Sequence, residues 1–78
     1  MELVENGNVD AIYELAIRNY YGYGIENNYT EAFKIFKELS DGGDMDARYY
    51  LARMYYFSEG VTENNEIAFK LFNDVYNN

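Results

Sequence analysis

The feature that most constrains this chain is its agreement with itself at a shift of 36 residues. Ala11 falls on Ala47, Tyr13 on Tyr49, Leu15 on Leu51, Ala16 on Ala52, Tyr20 on Tyr56, Gly24 on Gly60 and Asn28 on Asn64. The block Ala32, Phe33, Lys34, Phe36 falls on Ala68, Phe69, Lys70, Phe72, and upstream GNVDA at 7–11 matches GDMDA at 43–47. A period in this range marks stacked supersecondary units, each unable to bury its apolar face alone and therefore sharing a core with its neighbour.

Within each unit the apolar spacing is helical. Ala47, Leu51, Met54 and Tyr55 recur at i, i+4, i+7 and i+8, and Ala11 and Leu15 begin the same stripe, which predicts a helix A in each repeat with Leu15 and Leu51 in the core. After Asn28 and Asn64 a helix B follows, carrying Ala32, Phe33, Ile35, Phe36 and Leu39 in one copy and Ala68, Phe69, Leu71, Phe72 and Val75 in the other. The chain has no proline, so caps and glycines must set every boundary. Asp10 and Asp46 are expected to cap the helices A, Asn28 and Asn64 the helices B, and Gly43 to end the first helix B. Gly22 and Gly24 close the first helix A, with Ile25 or Val61 tucking back as an apolar anchor; the second copy, Ser58-Glu59-Gly60, keeps the later glycine. The Gly-Tyr-Gly triplet at 22–24 has no preceding strand or third glycine for a dinucleotide loop and no flanking membrane helices for an ion filter. It reads as a turn.

The expected fold is all-α, a short α/α solenoid of two helix-turn-helix repeats with period 36 plus an N-terminal partial helix. It forms one domain over 1–78, divided into a partial repeat 1–8, repeat one 9–44 and repeat two 45–78.

This pattern resembles the Sel-one-like repeat family, relatives of the tetratricopeptide repeats. Its positions are matched by Ala11, Leu15, Gly22, Gly24, Ile25, Ala32 and Gly43, and again by Ala47, Leu51, Met54, Tyr55, Gly60, Val61 and Ala68. The departures are conservative for the fold: Ala16 and Ala52 stand where the family has glycine, and Asn28 and Asn64 where it has a capping aspartate. The resemblance implies a protein-binding scaffold or adaptor without enzymatic activity, with the helices A lining a concave face.

Composition narrows the chemistry. With no cysteine and no histidine, the chain lacks thiolate and imidazole metal ligands and a base to activate Ser40, Ser58, Thr30 or Thr62. No catalytic residue, cofactor or metal site is expected. The run DGGDMD at 41–46 lacks the length and terminal glutamate of a calcium loop and reads as an inter-repeat turn. A formal charge of −8 repels phosphate backbones and anionic lipid and attracts basic proteins, so neither nucleic acid nor membrane is expected as partner. Acids in MELVENGNVD, where a signal peptide carries basic residues, give a cytoplasmic reading.

Ten tyrosines in 78 residues are the most unusual feature. On helix A, opposite the core stripe, lie Tyr13, Glu14, Ile17, Tyr20 and Tyr21, with copies Tyr49, Tyr50, Arg53, Tyr56 and Phe57. Tyrosine and arginine are favoured contact residues, so all ten are candidate partner-binding positions. Those that differ between copies (Glu14 and Tyr50, Ile17 and Arg53, Tyr21 and Phe57) are the better contact candidates, because identity at Tyr13 and Tyr20 equally fits packing between repeats. The partner is expected to be a protein, and the net charge favours a basic one. One alternative is that the chain is an acidic immunity protein that neutralises a basic toxin such as a nuclease. Two repeats bury little surface, so a homodimer through the exposed solenoid ends is a further expectation.

Overall fold

The computed structural model describes residues 9–23 and 26–77. The expected partial helix over 1–8 and the anchor Ile25 lie outside the described residues. Four helices are present: α1 (Val9–Tyr21), α2 (Tyr29–Asp41), α3 (Met45–Phe57) and α4 (Asn65–Tyr76), with no strand among the described residues. Each packs on the next in chain order, α1 on α2, α2 on α3 and α3 on α4, in a slab of 34 × 30 × 16 Å. Helices α1 and α3 are the two helices A, and α2 and α4 the two helices B.

The same local chemistry sets both helices B. Asn28 and Asn64 adopt extended backbone conformations, and their side chains accept from the N–H groups of Glu31 and Ile67, each at 3.0 Å. Their own N–H groups donate back to the carbonyls of Asn19 (2.7 Å) and Tyr55 (3.0 Å), residues that are also one period apart. Each cap thus ties the loop to the end of the preceding helix A.

The α2–α3 turn corrects one expectation. Gly43 has φ of +102°, and the N–H groups of Gly43 and Asp44 donate to the carbonyls of Ser40 and Leu39, both at 3.0 Å. This is a Schellman ending, and it leaves Asp44 extended at the start of α3, where its Oδ1 accepts from the Ala47 N–H. Asp44, rather than Asp46, is therefore the cap. Asp46 sits inside the first turn of α3, and Asp10 inside that of α1, where a carboxylate still favours the positive helix end.

At the ends of the helices A the two copies solve one problem differently. Gly22 has φ of +81°, and Ser58 takes the same left-handed position with φ of 59°. The turn thus needs positive φ at both sites, and the second copy bears it on a serine whose hydroxyl donates to the Val61 carbonyl at 3.0 Å. Gly60 has φ of +83°, and a Cβ there would lie 2.9 Å from the Tyr29 carbonyl oxygen. The α3–α4 turn thereby rests directly on the start of α2.

The core consists of fully buried alanines at the crossings (Ala16, Ala32, Ala47, Ala52, Ala68) around Phe36 and Met54, with Tyr20, Ile35 and Leu51 completing it. Small side chains let the backbones approach, and the large ones fill the space between pairs. Leu15 is a second correction. It is 47% exposed, against 4% for Leu51, because the face of α1 that bears it has no preceding helix among the described residues.

Candidate functional site: the helix A face

Helices α1 and α3 place their aromatic residues along one wall. Tyr50 is its hinge: its ring stacks on Phe36 of α2 (5.0 Å, 7° between planes) and meets Tyr13 and Tyr20 edge-on, and its hydroxyl lies 3.2 Å from that of Tyr21. Burial, then the Tyr21 hydroxyl, pushes the Tyr50 phenol upward. Tyr50 is thus half-buried and ties α1, α2 and α3 together.

Tyr20 anchors a second group. Buried at 4% exposure, it donates its hydroxyl to Glu59 Oε1 (2.6 Å) and accepts from Arg53 Nε (3.3 Å). Burial, followed by the Glu59 hydrogen bond, pushes its phenol up to about 12, against the opposing pull of Arg53. Arg53 also donates to the Tyr49 hydroxyl (3.5 Å), and its guanidinium lies 5.9 Å and 5.5 Å from the ring centroids of Tyr49 and Phe57. Hydrogen bonds to the Tyr20 and Tyr49 hydroxyls, in that order, raise the Arg53 pKa further, so its charge is fixed on this face.

The ten candidates therefore divide by exposure. Glu14, Tyr21, Tyr56 and Phe57 are open to solvent; Tyr13, Ile17, Tyr49, Tyr50 and Arg53 are half-buried; Tyr20 is in the core and offers no contact surface of its own. One exposed aromatic residue of the wall lies outside the helical pattern. Tyr23, 61% exposed, stacks on Tyr21 with centroids 5.3 Å apart and extends the wall beyond the helix end. Its loop position hid it from helical periodicity; the signal available was its spacing of two from Tyr21 across the Gly22 turn.

Carboxylates flank the wall. Asp44 and Asp46 stand at the start of α3; burial, then the charges of Asp46 and Asp44, raise the Tyr13 phenol, while Glu59 follows the end of α3 and bonds Tyr20. No group of three or more acids among the described residues is arranged to hold a metal ion. Asp44 is engaged as a cap, and Asp41 pairs with Lys37 at 3.3 Å. The arrangement offers aromatic area, one fixed cation and an acidic margin, which is suited to recognition.

The model of the Sel1 repeat matches twice, over residues 9–44 and 46–73. The chain belongs to the Sel1 repeat family. The two matches correspond to the α1–α2 and α3–α4 pairs, so the Sel1 repeat accounts for the helix alternation and the recurring alanines at the crossings. Sel1 repeats mediate protein–protein interactions, and this two-repeat unit is an interaction module of that kind. Comparisons with curated proteins and with solved structures give no match. No helix among the described residues is long and apolar enough to cross a membrane.

Proposed function

We propose that this Sel1 unit is a non-catalytic adaptor or scaffold that docks a protein or peptide on the wall formed by α1 and α3. The observation that carries this reading is the exposed ring of Phe57 5.5 Å from the fixed guanidinium of Arg53, together with exposed Tyr21 and Tyr23, stacked on each other and joined through Tyr20 to Arg53 and Glu59. Interfaces favour such a centre, because rigid rings bring large contact area at small entropic cost inside a charged margin. The half-buried residues beneath it (Tyr13, Ile17, Tyr49, Tyr50) hold the wall in shape.

A net charge of −8 favours a basic partner, and the acids would act chiefly on the rate of encounter. The same charge supports a second reading, an immunity protein that covers the cleft of a basic toxin such as a nuclease. Both readings place the protein in the cytoplasm. The test begins with a partner captured by pull-down and measured by surface plasmon resonance. Phe57→Ala and Tyr21→Ala should retain the wild-type melting curve and weaken binding by about 1 kcal/mol or more each through faster dissociation. Glu14→Gln with Asp46→Asn should mainly slow association and flatten its salt dependence. If both sets leave the kinetics unchanged, the wall is not the docking surface; a partner with nuclease activity that the protein abolishes would favour the second reading.

A further inference from the structure

The repeat supplies a template for an interface that the described helices leave half-made at each end. Between the repeats, α2 presents Phe33, Phe36 and Ser40 to α3; Phe33 meets Tyr55 edge-on at 5.6 Å, Phe36 stacks under Tyr50, and Ser40 accepts from Arg48 Nε at 2.9 Å. From the other side α3 contributes Ala47, Leu51 and Met54, all buried. One period later on α4, the counterparts of the α2 residues are Phe69, Phe72 and Tyr76: Phe69 is 58% and Tyr76 71% exposed, and Tyr76 stacks on Phe72, which is half-buried against Tyr49. One period earlier on α1, the counterparts of the α3 residues are Ala11, Leu15 and Arg18. These line an open groove on the free side of α1, and all three are exposed.

Opposite ends of the four described helices thus carry the two halves of an interface whose geometry the interior already displays. We infer that the occupant of the α4 face is the α1 face of a second copy, docked end to end in the register of α3 on α2. Leu15 would take the place of Leu51 against Phe69 and Phe72, Ala11 that of Ala47, and the aliphatic stem of Arg18 that of Met54 with its guanidinium at the edge. Such a contact is head-to-tail. It uses different surfaces on the two copies and leaves one of each unsatisfied, so it builds open chains rather than a closed pair. The contact is weaker than its internal model, since Arg18 replaces a buried methionine and each copy carries −8. Screening by added salt therefore strengthens the association.

Sedimentation velocity on the full chain, from micromolar to millimolar protein and at low and high salt, tests this directly. The weight-average mass should rise past that of a dimer with concentration, and more so in salt. Leu15→Glu and Phe69→Glu, each checked for wild-type helicity by circular dichroism, should each be monomeric at concentrations tenfold above those at which the wild type associates. Mixed together they should recover association, because one retains an intact α4 face and the other an intact α1 face, and the product should stop at a 1:1 dimer. Tyr76→Glu replaces Phe69→Glu, and Ala11→Lys replaces Leu15→Glu, if either loses helicity. A wild type that stays monomeric at millimolar concentration overturns the inference. So does a Leu15→Glu variant that associates as the wild type does, which would indicate a symmetric α4 contact, or a mixture of folded variants that fails to associate.

Discussion

Leu15 and Leu51 are the same residue at the same repeat position, and the fold makes them unequal. Leu51, on α3, is buried in the core shared by the repeats, so truncation to alanine loses the transfer energy of its removed carbons and leaves a cavity that the surrounding helices cannot fully close, costing about 2–5 kcal/mol. Leu15 faces an open groove at 47% exposure; with about half the transfer term and no sealed cavity, Leu15→Ala should cost about 1 kcal/mol. A domain of this length has only about 4–12 kcal/mol in total, so Leu51→Ala removes a large share. At about 4–8 °C per kcal/mol, the melting midpoint should fall by about 10–30 °C for Leu51→Ala and by less than about 8 °C for Leu15→Ala. Thermal scans by far-ultraviolet circular dichroism give both midpoints and urea unfolding both free energies, at low micromolar protein so that end-to-end contacts are absent, with an unchanged m confirming that the folded state is comparable. Equal losses for the two variants would refute the reasoning, because they would mean that the Ala11–Leu15 face is covered in the monomer.

Gly60→Ala should cost about 2 kcal/mol or more, since it places a side chain at φ of +83° with its Cβ against the Tyr29 carbonyl, whereas Ser58→Gly should be neutral to slightly stabilising because it relieves a left-handed serine; chemical denaturation of both reads the difference. The raised Tyr20 pKa means that the folded state favours the protonated phenol: its contribution is whole below about pH 10 and is lost as pH rises through about 12, so the melting midpoint should fall over that interval and fall less steeply in Tyr20→Phe.

The 36-residue period made the helix pairs legible, because identical alanines and phenylalanines at fixed spacing admit one stacking arrangement, and the asparagine caps followed from the residues that precede each helix B. What the period could not show is which copy of a residue has a neighbour. Leu15 and Leu51 are indistinguishable in sequence, as are Tyr20 and Tyr56, yet in each pair the member enclosed in the core between the repeats is 4% exposed and the other 47% or 41%. The Asp46 cap was misread because the Schellman ending of α2 and the cap of α3 share Asp44, an overlap set by backbone geometry rather than residue type. In the candidate site, helical spacing gathered Tyr21, Arg53 and Phe57 on one face. It could not show that Tyr20 turns inward to Glu59, nor that Tyr23 joins the wall from a loop.

The most direct measurement of the central claim is a photo-crosslinking map of the captured partner, with a crosslinking phenylalanine analogue placed in turn at Phe57 and Tyr21 on the helix A wall, at Lys34 on the exposed side of α2, and at Tyr76 on the free face of α4. Docking on the wall of α1 and α3 predicts strong crosslinks from Phe57 and Tyr21 and none above background from Lys34 or Tyr76. Crosslinks confined to Lys34 or Tyr76, with the wall silent, would contradict it.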